Sequence, residues 1–342
     1  MPRPTLTDIA KEAGVSLATV DRAMNGRGSV RARTLAHIKA TANRLGYLDE
    51  DGRPVMAVPP LLHVRIVFVL PQGTNAFIHE LERQATLQTP QFSAVETKVM
   101  TIAGFDPLSL AQCLDDLRGK AQGVALVALD HPVVREAVRR LIRSGTSVVT
   151  LASYILNVPH LGYIGINDAQ AGRMAGYLLG RLIGPRPAAE VAFFAGSLAY
   201  RGHQEREIGF RQVLHEDFPN IEIVQFSEVH ENRDKARSEM ARLLQQHPDL
   251  AGVYNAGGAT AGIAGALTDF GRHTDCVFIA HDTTDGNKAL LLDGTLDAVI
   301  DQNARVEIRE ALNTLVHAAR GQDYEMVPPR LQVVFRENLP VE

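Results

Sequence analysis

Residues 5–25 read TLTDIAKEAGVSLATVDRAMN, and their spacing describes two short helices about a tight turn. Leu6, Ile9, Ala10 and Ala13 fall at i, i+3, i+4 and i+7, one apolar face of a helix. Thr5 precedes them with Asp8 three residues on, the capping-box arrangement that satisfies orphan backbone N–H groups at a helix start. Gly14 ends the helix where a left-handed residue is needed, and Val15 is placed to fill the corner. Ser16 is placed to cap a second helix over Leu17–Met24, with Val20 and either Ala23 or Met24 turned inward. Two helices about a short turn containing Gly are a helix-turn-helix, whose second helix enters the DNA major groove. An ordinary helical hairpin carries the same local signals.

The surroundings favour the first reading. A third helix is predicted from about Arg31 to Leu45, with Leu35, Ile38, Ala42 and Leu45 on its inner face and Gly46 as its stop. Residues 1–48 hold eight Lys and Arg against three acids, a net of +5, leaving −9 on the remainder of a chain whose total is −4. A basic head on an acidic body is the electrostatic footprint of a nucleic-acid-binding module attached to something else.

The run DIAKEAGVSLATVDRAMNG, followed by a Val30-led helix ending in Leu45-Gly46-Tyr47, closely resembles the DNA-binding headpiece of LacI/GalR repressors. That resemblance implies a double-stranded operator as partner, with Leu17, Ala18 and Arg22 facing base edges. The fork of Arg22 can contact guanine O6 and N7 together, while Leu17 and Ala18 can meet thymine methyl groups. Ser16, Thr19, Asn25 and Thr34 are the candidates for phosphate contacts, with Thr5 at the edge of the same surface. Asp21 departs from the serine common at its position in the family. Its carboxylate can repel phosphate, accept from cytosine N4 or pair with Arg22. Members of the family continue into a short hinge helix whose leucine wedges into the minor groove. Here residues 48–63 read LDEDGRPVMAVPPLLH, and Gly52, Pro54, Pro59 and Pro60 permit at most one turn, begun by Pro54. Val55 or Met56 is the candidate wedge, the alternative being a plain flexible linker.

From Val64 the pattern changes to short apolar runs alternating with helical stretches. Strands are predicted at 65–70, 92–99, 123–129, 147–151, 163–166, 190–194, 221–226, 252–254, 276–280, 298–300 and 331–335. Helices such as Ala169–Leu182 and Asn232–Gln246 separate most pairs, and strands apolar throughout imply parallel sheets covered on both faces. The fold class is therefore α/β: a small all-α helix-turn-helix domain followed by two parallel-sheet Rossmann-like lobes.

The body resembles the periplasmic-binding-protein-like effector domain of the same family, akin to ribose-binding proteins, which has two lobes joined by three crossovers with a sugar in the cleft. The expected organisation is a head over 1–48, a linker over 49–62 and an effector domain over 63–342. Lobe 1 is expected at about 63–162 and 295–322, and lobe 2 at about 163–294 and 323–342. In such sheets ligands bind outside the carboxyl ends of strands. Asn75 and Phe77 follow the first strand, like the family's Asn-Pro-Phe element, and Asp130 and His131 follow the third. Arg206 lies in RExGF, matching the family's Arg-x-x-Gly-aromatic motif, with Arg201 nearby. Asn255, Asp282 and Gln302 end later strands and match polar ligand contacts of the family. A polyol needs convergent donors and acceptors of this kind. Each of these has a plainer alternative as a turn former or cap, and Asn167-Asp168 reads as the cap of helix Ala169–Leu182.

Enzyme readings find little support. The glycine-rich run 257–262 lacks the Lys-Ser/Thr of a P-loop, and no G-x-S-x-G, H-E-x-x-H or C-x-x-C is present. No metal or cofactor is expected. Cys113 and Cys276 read as buried apolar residues of a reducing compartment. No secretory signal or membrane span is read, so a cytoplasmic location is expected. The expectation is a DNA-binding regulator, a repressor, allosterically controlled by a sugar, polyol or sugar acid and acting as a homodimer or tetramer. The alternatives are a solute-binding protein without a DNA role and a Rossmann-type enzyme.

Overall fold

The computed structural model describes residues 4–25, 30–48 and 62–340, and the chain divides into two compact units, 1–61 and 62–342. The first holds α1 (Leu6–Ala13), α2 (Leu17–Asn25) and α3 (Ala32–Arg44). Ile9, Ala10, Ala13, Val20, Ala23, Ile38, Ala42 and Leu48 form their common core, with Val15 packed against it. Gly14 closes α1 at φ +64°, and the capping box is formed: the Thr5 amide donates to Asp8 Oδ2 at 2.7 Å, and the Asp8 amide to Thr5 Oγ1 at 3.2 Å. Both Val55 and Met56 lie outside the described residues.

The second unit is built on two sheets. The first has the order β2-β1-β3-β4-β5, from β1 (Val64–Gln72), β2 (Val95–Ala103), β3 (Gly123–Leu126), β4 (Ser147–Leu151) and β5 (Gly162–Ile164), all parallel. The second has β6 (Ala189–Ala195), β7 (Ile221–Glu228), β8 (Gly252–Asn255), β9 (Val277–His281), β10 (Ala298–Asp301) and β11 (Gln332–Val334) in the order β11-β10-β9-β8-β6-β7, with β11 antiparallel to β10. Helices α4 (Ala76–Gln88), α5 (Pro107–Asp116), α6 (Pro132–Arg143), α7 (Asp168–Ile183), α8 (Arg201–Asp217), α9 (Arg233–Gln246), α10 (Thr260–Asp269), α11 (Asp285–Leu292) and α12 (Ala304–Ala319) connect them.

The lobe boundaries need two corrections. Residues 295–302 belong to the second sheet, not the first, because Ala298, Val299 and Ile300 pair with β9. Only after β10 does the chain return, and Ile308, Leu312 and Leu315 of α12 then pack into the core of the first sheet. Tyr163 and Ile164 likewise pair with Thr150 and Leu151 of β4, so the crossing to the second sheet follows β5 rather than preceding it.

One helix contact sets the geometry inside the second unit. Helices α7 and α8 meet backbone to backbone, since a Cβ on Gly172 would collide with the carbonyl of Arg206 and one on Gly209 with that of Ala169. Gly209→Ala adds helix propensity worth about 1 kcal/mol, but overpacking against a backbone that cannot swing aside costs about 1–3 kcal/mol. Denaturant unfolding of the full chain should therefore show a net loss of stability, and an unchanged or raised midpoint would contradict this packing.

Candidate functional site

Each unit carries a surface suited to binding. In the head, Ser16 caps α2, its Oγ accepting from the Thr19 amide at 3.2 Å and lying 2.8 Å from Thr19 Oγ1. With Val20 and Ala23 turned inward, Leu17, Ala18, Arg22 and Asn25 are exposed, and Leu17 is 49% exposed despite being apolar. The guanidinium Nε of Arg22 rests on the Ala18 carbonyl at 3.1 Å. Thr19 and Thr34 are half-buried and Thr5 is exposed as a cap. Asp21 accepts from Asn25 Nδ2 at 2.7 Å, and no ion pair joins it to Arg22 among the described residues. The Asp21–Arg22 pairing open from the sequence is therefore not formed.

In the second unit the carboxyl ends of both sheets open on one cavity of about 230 Å³. The first sheet contributes Gln72 at the end of β1, Thr74, Asn75 and Phe77 after it, Phe105 after β2 and Ser153 after β4. The second contributes Tyr200, His203, Arg206, His230, Glu231, Asp282 and Gln302. Arg206 lies at the centre, 3% exposed, positioned by the α7–α8 contact. It donates from Nε to Asp168 Oδ1 at 2.7 Å, from Nη1 to the Ala256 carbonyl at 2.8 Å and from Nη2 to Gln302 Oε1 at 2.6 Å. Gln302 in turn donates from Nε2 to both oxygens of Asp282, at 2.9 and 3.0 Å. Asp282 is held at φ +70°, its carbonyl receiving Asn287 Nδ2 at 2.9 Å.

Burial dominates the electrostatics. It works against the Arg206 cation, but Asp168, Tyr254 and Asp282 hold that pKa above its ordinary value. Asp282 is pushed up to about 7 by burial and the charge of Asp301, opposed by Arg206 and Gln302. Burial also raises Glu231 to about 7, opposed by the Gly258 amide, Asn75 and Arg206. His203 is driven down to about 3 by burial and by Arg206, and so is neutral.

Of the nine residues expected to touch an effector, the cavity gathers Asn75, Phe77, Arg206, Asp282 and Gln302. The other four stand outside its lining and are corrected. Asp130 is taken by Arg135 Nε at 2.7 Å, and His131 caps α6, accepting from the Val133 amide at 3.3 Å. Arg201 lies over the Tyr154 ring at 5.2 Å and pairs with Glu205 at 2.9 Å. Asn255 is fully buried beneath the cavity, donating to the Gly258 carbonyl at 2.9 Å and Thr260 Oγ1 at 3.1 Å. The cap of α7 is Asn167 alone, while Asp168 reaches Arg206. Glu231 and its aromatic neighbours were missed, although the rule of inspecting strand ends, applied to β7 as well, points to 229–232.

Asp282 carries a pH signature. A carboxyl raised from 3.8 to about 7 stabilises the fold below its unfolded pKa, and that contribution is lost as pH rises through about 7. Asp282→Asn, which tolerates the left-handed backbone, should gain stability over the parent on going from pH 5 to pH 8, by about 3 kcal/mol. Thermal melts at both pH values check this, and a pH-independent difference would refute it.

Residues 66–323 match the model of the periplasmic binding protein domain, and residues 5–49 that of bacterial regulatory proteins of the lacI family. Among curated proteins, catabolite control protein A of Priestia megaterium is 35% identical over 79 residues, 23% of either chain. Its namesake from Staphylococcus aureus is 22% identical over 213 residues, 62% of either chain. These matches span less than two thirds of the relatives' length. Solved structures of similar fold include GanP, a glucose-galactose binding protein from Geobacillus stearothermophilus, with TM-score 0.74 at 21% identity over 81% of this chain and 99% of that one. A solute binding protein from Burkholderia graminis in complex with D-arabinose also has TM-score 0.74 at 21% identity, covering 82% of this chain and 98% of that one. The chain thus belongs to the periplasmic binding protein domain family and bears at its N-terminus the helix-turn-helix of the lacI family.

Proposed function

We propose that the chain is a transcriptional regulator, a repressor, whose head reads a double-stranded operator and whose response is set by a small polyhydroxylated effector in the cavity of the second unit. The observation that carries this reading is an α2 with Leu17, Ala18 and Arg22 exposed on a basic head, joined in one chain to a cavity into which Asn75, Arg206, Glu231, Asp282 and Gln302 converge. The sugars named in the structural relatives support the effector class. Arg22 supplies base discrimination, with Ser16, Thr19, Asn25 and Thr34 positioning the head on phosphates. Two heads on a pseudo-palindromic site require a homodimer, and the regulator acts in the cytoplasm without chemistry of its own. Among the described residues no helix is long and apolar enough to cross a membrane, and no group of His, Cys, Asp or Glu is arranged to hold a metal. A coupling of about 1–3 kcal/mol between cavity and head changes operator affinity roughly 5–150-fold.

A solute-binding role without DNA is the second reading, and the lacI-family match of residues 5–49 weighs against it. Gel shifts across promoter fragments decide between the two. Arg22→Ala is expected to lose about 1–3 kcal/mol of specific binding with an unaltered melt. Binding that is sequence-independent in the parent and indifferent to every sugar and polyol would sink the proposal.

A further inference from the structure

Glu231 presents its carboxyl to the cavity under unusual conditions. Consecutive left-handed residues, His230 at φ +51° and Glu231 at φ +58°, turn the chain after β7 so that the side chain faces the cavity. Its backbone is fixed from the opposite sheet, where Thr74 Oγ1 donates to the Glu231 carbonyl at 2.9 Å. Room for the carboxyl is made by glycines: a Cβ on Gly196 would strike Oε1 and one on Gly258 would strike Oε2. Oε2 is buried with no well-aligned hydrogen bond, the Gly258 amide and Asn75 being the donors that face the carboxyl, and among the described residues no ion pair includes Glu231. The cation nearest in role, Arg206, is committed to Asp168 and, through Gln302, to Asp282. Counting Arg206, Asp168, Asp282 and Glu231 in their ionised forms, the site carries a surplus of negative charge. Phe105, Tyr200 and His230 stand beside it, with Phe105 edge-on to the other two at 5.5 and 5.3 Å, and aromatic rings of this kind favour a cation.

Resting on the effector-binding reading above, we propose that Glu231 selects the effector, and that it selects a polyhydroxylated molecule bearing a protonated amine, an amino sugar or amino polyol. A buried carboxylate is costly unless paired, and an ammonium group supplies charge and donors together. A neutral hydroxyl leaves the charge uncompensated, and a carboxylate or phosphate on the ligand adds to the repulsion. Sugar acids and phosphorylated sugars are thereby excluded.

The test is calorimetric titration of the full-length chain with D-glucosamine, D-galactosamine and D-mannosamine, beside their parent hexoses and matching uronic acids. An amino sugar should bind about tenfold or more tightly than its neutral parent, with the uronic acids silent. Glu231→Gln, checked for folding by its unliganded melt, should erase the preference for the amine. A uronic acid or neutral sugar binding the parent as tightly as its amino counterpart overturns the inference, as does a preference that survives in Glu231→Gln. In the neutral-sugar case the sensor reading stands and only the charge selection falls. Silence across the panel, with Arg22-dependent DNA binding intact, overturns the inference and leaves the regulator standing.

Discussion

The buried guanidinium of Arg206 is the constraint on which the cavity depends. A cation in the interior is tolerable only with its charge countered and its N–H groups directed. Asp168 at the start of α7 does the first, and the Ala256 carbonyl and Gln302 do the second. These partners come from three separate stretches of chain, so placing the one side chain fixes the spacing of α7, the loop after β8 and the end of β10. The glycines that let α7 and α8 touch are part of the same arrangement, because without that approach Asp168 and Arg206 would not meet.

The cavity is also where the backbone is least relaxed. Phe105, Ala152, His230, Glu231 and Asp282 all line it with positive φ, and Asn303, next to Gln302 but outside the lining, also has positive φ. Left-handed non-glycine residues cost free energy and persist where the surroundings over-determine them. Together with carboxyls whose pKa values are raised by burial, they describe a site assembled at the expense of stability in the unliganded fold. Its polar groups are oriented before any ligand arrives, which reduces the ordering that binding would require.

Much of this was legible in the sequence. All three head helices and all eleven strands follow from periodicity and punctuation, because the apolar spacing of α1 and the continuous apolar runs of the strands are local signals. Arg206, Asp282 and Gln302 could be found because they sit at strand ends or in a motif. Pairings across the chain were not legible. Nothing local distinguishes Asp130, spent on Arg135, from Asp282, which faces the cavity. Asn255 has the right position but the wrong direction, being drawn under the loop it supports. β10 was misplaced for a related reason: an apolar strand does not declare which of two sheets it will join.

That strand has a further bearing on the cavity. Between β10 in one sheet and α12 against the other lie only two residues, Gln302 and Asn303, whereas the return from α12 to β11 takes a far longer path. The shortest of these covalent ties between the sheets therefore includes a residue of the cavity lining, one already bonded to both Arg206 and Asp282. A molecule that displaces the Gln302 side-chain amide acts on a residue whose own main chain links the halves, with no second side chain between them. The shortest link between the two sheets and the lining of the cavity thus meet in one and the same residue.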